Sequence, residues 1–213
     1  MSRHFNFLEK AIIGFDRLLK STLPSSSSPT RPNPASEIVA PPLDENTRVQ
    51  SIRLMRINHT GEICAQALYK GQALAARNTT LYSHLIKAAH EEHDHLYWCA
   101  ERLQELNGKT SYLTPFWYLA SFSIGVIAGL GGDKTSLSFI AETERQVATH
   151  LQGHLRKLST TDIKSKIILE TMLADELQHK QTAIEQGGKQ LPFIIISLMR
   201  CKATLMCRLA YYI

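Results

Sequence analysis

The residues of this chain best suited to chemistry are four glutamates and two histidines, and they form two matched sets. Each set has a lone glutamate followed, thirty or thirty-two residues later, by a glutamate and a histidine three positions apart. The sets are Glu62, Glu92 and His95 in the first half and Glu144, Glu176 and His179 in the second. Residues three apart on a helix share a face, so each Glu-x-x-His can hold one ion from one side. The pattern predicts a site for two metal ions.

The residues around these six predict helices that point them inward. Each candidate ligand lies in a stripe of mostly apolar residues spaced three and four apart, as on the buried face of an amphipathic helix. This is the arrangement of a ferritin-like four-helix bundle with two ions in its interior, so the predicted fold class is all-α. The stripes are Ile52, Met55, His59, Glu62 and Gln66; Leu85, Ala88, Glu92, His95 and Cys99; Leu137, Ile140, Glu144, Val147 and Leu151; and Leu169, Met172, Glu176, His179 and Ala183.

The charge and chemistry of the candidate ligands favour iron. Four carboxylates in one core repel one another and lose their hydration, which costs several kcal/mol each unless cations compensate. Two divalent ions would balance them. An oxygen-rich site with one imidazole per ion suits iron or manganese better than zinc or magnesium. Iron is favoured because two Fe(II) ions can together deliver two electrons to O₂.

Other polar residues could support the ligands. A ligand imidazole normally donates its second N–H to a carboxylate or carbonyl. Glu91 and Asp175 directly precede the ligand glutamates of the two histidine motifs and could accept these bonds, or could be solvated surface carboxylates; Asp94 is a weaker candidate. His150 could approach the cluster or could be a histidine without a role at the edge of the core. Solvent contact or ordinary hydrogen bonding is expected for His4, His59, His84, His90, His93 and His154.

Length and composition indicate how many domains the chain has and which partners are expected. With 213 residues, one domain with appendages is expected. Residues 1–20 predict an amphipathic helix, residues 21–43 a Ser/Pro-rich linker unable to order itself, and residues 44–213 the helical domain. Four cysteines without a Cys-x-x-Cys spacing indicate reduced thiols inside the cell. The net charge of +5 is not clustered among aromatics, which argues against a nucleic-acid partner.

Several segments together resemble the demethoxyubiquinone hydroxylases, and bacterial members in particular. The similar segments are Met55 to Gly71, Glu91 to Leu96, Glu144 to Leu151 and Asp175 to His179, and the similarity covers roughly residues 44–213. The resemblance implies a membrane-associated di-iron monooxygenase of ubiquinone biosynthesis. Such an enzyme uses O₂ to hydroxylate the ring of a polyprenyl methoxy-methyl-benzoquinol.

The resemblance also implies roles for particular residues. Glu62, Glu92 and His95 would bind one iron, Glu144, Glu176 and His179 would be among the ligands of the other, and Glu144 or Glu62 could bridge the two. In animal members an aromatic residue follows the equivalent of His150, whereas Leu151 stands here; Tyr211 or Tyr212 could take its place. The implied partners are the quinol substrate, a membrane surface, other proteins of ubiquinone biosynthesis and further copies of this chain.

Two apolar segments favour a peripheral location on the cytoplasmic side of the cell membrane. Residues 110–132 contain no charged side chain and predict an interfacial or quinone-pocket helix, with a buried crossover or a true membrane span as alternatives. Residues 191–213 predict an interfacial amphipathic helix. Its cations Arg200, Lys202 and Arg208 are expected at the level of the lipid headgroups.

Other classes of protein share part of this pattern. A ferroxidase or iron-storage protein has the same ligands but needs a hydrophilic exterior, which the two apolar segments disfavour. A peroxidase of the rubrerythrin type usually adds a four-cysteine module that this sequence lacks. A non-catalytic membrane scaffold of a quinone-synthesis complex would not need all six ligand positions filled.

Overall fold

The computed structural model describes residues 29–213, so the amphipathic helix expected for residues 1–20 lies outside the described residues. Within the described part the chain forms six α-helices and no β-strand, which confirms the all-α prediction. The helices are α1 Glu45–Ala75, α2 Thr79–Glu105, α3 Thr114–Leu130, α4 Asp133–Lys157, α5 Ile163–Glu185 and α6 Phe193–Tyr212.

The helices begin and end where local sequence signals are strongest. The side chain of Asp44 accepts a hydrogen bond from the amide of Thr47 at the start of α1, and Asp162 caps α5 in the same way. Asn107, just after α2, and Gly187, just after α5, have positive φ values of 56° and 108°. Asn and Gly adopt this left-handed conformation most easily, so they end both helices.

The four long helices α1, α2, α4 and α5 enclose the predicted ligands between two apolar layers. In the first half α1 packs on α2, in the second α4 packs on α5, and the halves also meet between α2 and α5. One layer contains Met55, Trp98, Leu151, Ile168 and Met172; the other contains Tyr69, Leu85, Leu137, Ile140 and Ala183. On every helix the candidate ligands fall between these layers, as the stripes predicted.

The crossover helix α3 lies along α1 at short range. A Cβ atom added at Gly125 of α3 would overlap the carbonyl oxygen of Leu68, and one added at Gly71 of α1 would overlap that of Phe122. Only glycine allows the two backbones to approach this closely. Since α1 carries Glu62, this contact also fixes one wall of the metal site.

The C-terminal helix α6 packs on the same side of the bundle as α3. Met206 and Ala210 of α6 join Ile57 of α1 and Trp117 of α3 in one buried cluster. Both helices also expose large apolar side chains, which include Phe116, Leu119, Ile127, Leu130, Phe193, Ile194, Leu198 and Leu205. Among the described residues, none of the helices is both long and apolar enough to cross a membrane.

The described part of the Ser/Pro-rich segment is ordered on α2, contrary to the expectation that it only links. Ala35 is 3% exposed and packs in the layer that contains Trp98, and the amide of Thr30 donates to the buried carboxylate of Asp94 at 2.8 Å. The composition of the segment does not reveal this order, because its partners lie about sixty residues away in the sequence. The segment becomes buried only by packing on α2.

Replacement of Gly125 by alanine should lower the free energy of unfolding by roughly 1–3 kcal/mol, because the added methyl group forces α3 away from α1. Urea unfolding of the metal-free protein measures this. Gly153→Ala, at a helical site with no atom closer than 3.9 Å, is the matched control. It should be neutral or stabilising by up to about 1 kcal/mol. Equal effects of the two changes would contradict the close approach.

Candidate metal centre

The structure brings all six predicted ligands together inside the bundle. Their donor atoms form two overlapping groups, and within each group the atoms lie within 4.8 Å of one another. Four of the glutamates and His95 are at most 2% exposed, and only the His179 side chain, 13% exposed, reaches the surface. The groups are Glu62, Glu92, His95 and Glu176, and Glu92, Glu144, Glu176 and His179.

Two of the four glutamates belong to both groups. Glu92 of α2 and Glu176 of α5 are shared, whereas Glu62 and Glu144 each belong to one group. Glu92 and Glu176 are thus the shared glutamates, and the bridging role that the resemblance offered to Glu144 or Glu62 stays a prediction. The physical reason for the sharing is that α2 and α5 contact each other, so the glutamate of each Glu-x-x-His motif also reaches the histidine of the other: His95 Nδ1 lies 3.4 Å from Glu176.

Each histidine turns one nitrogen to the cluster and the other to a carboxylate. His95 Nε2 lies 2.9 Å from Asp175 Oδ2, and His179 Nε2 lies 2.8 Å from Glu91 Oε2. In both cases the partner comes from the opposite helix of the α2–α5 pair. A partner at Nε2 leaves Nδ1 free to bind a metal and fixes the ring orientation. Glu91 and Asp175 thus lie where the sequence placed them as supporting carboxylates.

The polar atoms at the centre of the cluster lack protein partners. Eight buried side-chain atoms of the six residues have no hydrogen-bond partner: Glu62 Oε2, both carboxylate oxygens of Glu92 and of Glu144, Glu176 Oε1, and Nδ1 of His95 and of His179. Buried polar atoms almost always have a partner, and each one left unpaired costs about 1–3 kcal/mol. Converging orphaned oxygens and imidazole nitrogens are the donors that a pair of divalent cations requires.

The pKa values show how the metal-free cluster balances its charge. Burial raises the pKa of Glu62 and of Glu144 well above the usual range, which favours the protonated form of both in the metal-free protein. Burial alone would lower the pKa of His179, but the carboxylates of Glu91 and Glu92 raise it to about 10. Because these shifts favour bound protons in the metal-free cluster, metal binding should release protons.

His150 does not join the cluster, although it could have approached it. Its ring lies 3.9 Å from that of His154 between centroids, and about 4.0 Å from the sulfur of Cys207 on α6. His154 Nδ1 donates to Asn58 Oδ1 at 2.8 Å. Burial lowers the pKa of His150 to about 4, so its imidazole is neutral. The expectation of ordinary hydrogen bonding for His154 fits its bond to Asn58. His150 lies beside it, away from the cluster.

An apolar cavity of about 910 Å³ reaches the metal centre. It lies mainly among α1, α4 and α6, and Glu62 forms part of its wall. Ile124 is the single α3 residue in that wall, so α6 contributes more of the pocket than the predicted quinone-pocket helix does. Ile57, Leu68, Val147 and Leu151 are among the apolar residues that line it.

The three cations of α6 also line this cavity, but they are not equivalent. Arg200 and Arg208 are exposed, in keeping with a position at a surface. Lys202 is half-buried instead, and its Nζ donates to Ser121 Oγ of α3 at 2.7 Å. Lys202 therefore helps to join α3 to α6, and its place at headgroup level stays a prediction.

Two residues near the centre were missed by sequence reasoning. Arg31 Nη1 lies 2.8 Å from Asp175 Oδ2, and its Nε lies 3.2 Å from Asp94 Oδ2. Thr30 Oγ1 donates to the same Asp94 oxygen at 2.6 Å. A single arginine in a Ser/Pro-rich segment carries no periodic signal, so nothing in the sequence marks it.

Comparison with known proteins identifies the family of this chain. Residues 50–212 match the model of the family described as ubiquinone biosynthesis protein COQ7. This chain belongs to that family. The relatives include proteins named 3-demethoxyubiquinol 3-hydroxylase. That of Coxiella burnetii (strain RSA 331) is 48% identical over 212 residues, which cover 100% of this chain and 98% of the relative. That of Acinetobacter baylyi is 47% identical over 211 residues, or 99% and 100% of the two chains.

Because two of the glutamates are shared, the ligand variants should differ in metal content. We expect two ions per chain in the wild type, one for each group of donors. Glu62→Ala removes a ligand from one group and should leave one tightly bound ion, whereas Glu176→Ala affects both groups and should reduce both. Equilibrium dialysis against Fe(II) under anaerobic conditions, followed by elemental analysis, measures this.

Glu142→Ala provides the control, because Glu142 is also an acid on α4 but pairs with Arg145 and belongs to neither group. Its metal content should equal that of the wild type. A wild-type content below one ion per chain, or equal losses in all three variants, would contradict the two-group site.

Proposed function

We propose that this protein is a di-iron monooxygenase that hydroxylates the ring of a polyprenyl methoxy-methyl-benzoquinol, demethoxyubiquinol, with O₂, in a late step of ubiquinone biosynthesis. The observation that carries the proposal is that Glu62 belongs both to the carboxylate and histidine cluster and to the wall of the apolar cavity. A substrate in the cavity would therefore lie directly beside the metal ligands. The names of the relatives fit the same reaction.

Iron is the metal that the chemistry favours. The donors of each group are three carboxylates and one imidazole, a set that suits iron or manganese. When bound, two iron ions would supply the redox chemistry with O₂ that side chains cannot perform. Glu62, Glu92, His95, Glu144, Glu176 and His179 would hold them, with Asp175 and Glu91 orienting the two imidazoles.

The side chains around the cavity would bind the quinol and keep water out. The apolar wall suits an isoprenoid tail, and its closeness to the cluster would exclude bulk water from the reaction. His150 is neutral, lies in the same wall and can exchange a hydrogen bond with a ring hydroxyl. Together these residues would place the ring against Glu62 and let the tail extend along α6.

The proposed location is the cytoplasmic surface of the cell membrane. The substrate's tail partitions into lipid, and its extraction costs about 0.8 kcal/mol for each CH₂ group. The exposed apolar side chains of α3 and α6 lie on one side of the bundle, where contact with lipid would let the tail enter the cavity directly. Arg200 and Arg208 would then lie near anionic headgroups, which contribute about 1 kcal/mol for each cation.

The reaction can be tested by product analysis with ¹⁸O₂. Protein loaded with Fe(II) and supplied with a reductant and a short-chain demethoxyubiquinol should yield a product that carries one ¹⁸O atom. Glu144→Ala and His179→Ala should lose the activity and keep their helical circular dichroism, since the fold rests mainly on the two apolar layers.

Glu142→Ala again serves as the control and should turn over normally. Near-normal product formation by Glu144→Ala or His179→Ala would contradict the assigned roles. Consumption of O₂ and oxidation of iron without ¹⁸O in the quinone would instead favour a ferroxidase. Absence of both reactions in the iron-loaded protein would favour the non-catalytic scaffold.

Membrane binding is tested by flotation with liposomes that contain phosphatidylglycerol. The double variant Arg200→Glu/Arg208→Glu should bind at least about 30-fold more weakly, because loss of two cations removes about 2 kcal/mol. Lys87→Glu/Lys166→Glu changes the charge equally at exposed positions on α2 and α5. This control should bind like the wild type; equal weakening of both variants, or no flotation of the wild type, would contradict the proposed orientation.

A further inference from the structure

Residues 29–38 lie against the His95 side of the metal centre and are held there by buried partners. The amide and hydroxyl of Thr30 donate to the two oxygens of Asp94, at 2.8 and 2.6 Å. The indole Nε1 of Trp98 donates to the carbonyl of Arg31 at 3.3 Å. Asp94 and Trp98 are at most 1% exposed. The backbone at Arg31 is therefore fixed on both sides of its Cα atom.

The side chain of Arg31 is fixed as well. Its Nη1 lies 2.8 Å from Asp175 Oδ2, its Nε lies 3.2 Å from Asp94 Oδ2, and its guanidinium carbon lies 5.0 Å from the centre of the Trp98 ring. Two carboxylates and an aromatic face thus contact one planar cation. This geometry suits arginine and not lysine, whose ammonium is a point charge.

Arg31 and His95 share one atom of Asp175. Oδ2 of Asp175 accepts from Arg31 Nη1 and also lies 2.9 Å from His95 Nε2. The side chain of Asp175 is 26% exposed, so without the guanidinium it could rotate toward solvent. Arg31 therefore holds the oxygen that orients the His95 ring.

The His179 side of the centre has no equivalent among the described residues. Glu91 Oε2 lies 2.8 Å from His179, and the nearest cation to Glu91 is Lys87, 3.4 Å from the other oxygen and 76% exposed. A surface lysine at that distance does little to hold the carboxylate of Glu91 in place. The two imidazoles are therefore supported unequally.

We propose that Arg31 is a positioning residue for the metal centre. Through Asp175, and through its own Nη2 that lies 3.3 Å from His95 Nε2, it keeps the His95 ring turned with Nδ1 toward Glu62, Glu92 and Glu176. The inference rests on the proposed use of this cluster as a di-metal site. The proposal also gives residues 29–38 a role: the bonds of Thr30 to Asp94, and of Trp98 to the carbonyl of Arg31, fix the position of Arg31. Loss of Arg31 should affect one metal position and spare the other.

Titration of the metal-free full-length protein with Co²⁺ alone tests this role. In Arg31→Gln, one of the two ions should bind about 10-fold more weakly, which is the low end of the range for supporting residues of metal ligands. Removal of a positive charge by itself would strengthen the binding of a dication. The expected change thus has the opposite sign to the charge effect.

Thr30→Val removes the hydroxyl hydrogen bond to Asp94 Oδ2 without a change in charge, keeps the backbone bond to Oδ1, and should weaken binding of the same ion. Arg31→Lys keeps the charge but loses the fork geometry, and should rescue binding only in part. Lys87→Gln is the matched control, because it removes the cation beside Glu91, and it should weaken neither ion. Unchanged or tighter Co²⁺ binding in Arg31→Gln would overturn the proposal.

A second readout needs no metal. In a Trp117→Phe background Trp98 is the remaining tryptophan, and its fluorescence should be more strongly quenched by acrylamide in Arg31→Gln and Thr30→Val. Equal quenching in all variants would show that residues 29–38 do not seat on Trp98, and would also overturn the proposal. A wild type that binds no Co²⁺ would contradict the di-metal function, while the quenching still decides whether this segment is held.

Discussion

The compensation of buried negative charge is the constraint on which the rest of this structure depends. Four glutamates converge in the buried interior of the bundle, and the two histidines that contact them offset part of the cost of burying their charge. The imidazoles of His95 and His179 turn Nδ1 toward these carboxylates, and their Nε2 atoms lie against Asp175 and Glu91 on the outside. The apolar layers above and below supply the stability that a core of carboxylates cannot.

The two faces of the centre are built for different tasks. On the Glu62 face the apolar cavity reaches the cluster, so a lipid-like molecule could approach the metal ligands there. On the His95 face residues 29–38 close the bundle with Thr30 and Arg31 bound to buried Asp94. A reaction that needs an apolar substrate and a dry centre benefits from one open face and one sealed face.

The helices outside the four-helix core connect the centre to its surroundings. The glycine contact between α1 and α3 sets the position of α1, and hence of Glu62. α6 completes the cavity, and the bond from Lys202 to Ser121 joins it to α3. Because both helices also present apolar side chains outward, the same elements that shape the pocket form the surface proposed to contact lipid.

Periodicity by itself determined much of this protein. The 3.6-residue repeat places Glu62, Glu144 and the two Glu-x-x-His motifs on buried faces, and Asn107 and the glycine at 187 end helices through local backbone preference. These features depend on residues close in sequence, so a single chain reveals them. The resemblance of the motifs also indicated the family, which the match over residues 50–212 confirms.

Only the tertiary structure decided which residues meet across long sequence separations. The sharing of Glu92 and Glu176 depends on the contact between α2 and α5, the burial of Lys202 on its contact with α3, and the role of Arg31 on partners more than sixty residues away. The cavity likewise arises from the packing of α6 against α1 and α4. No local pattern encodes these distances, because they are set by how whole helices pack.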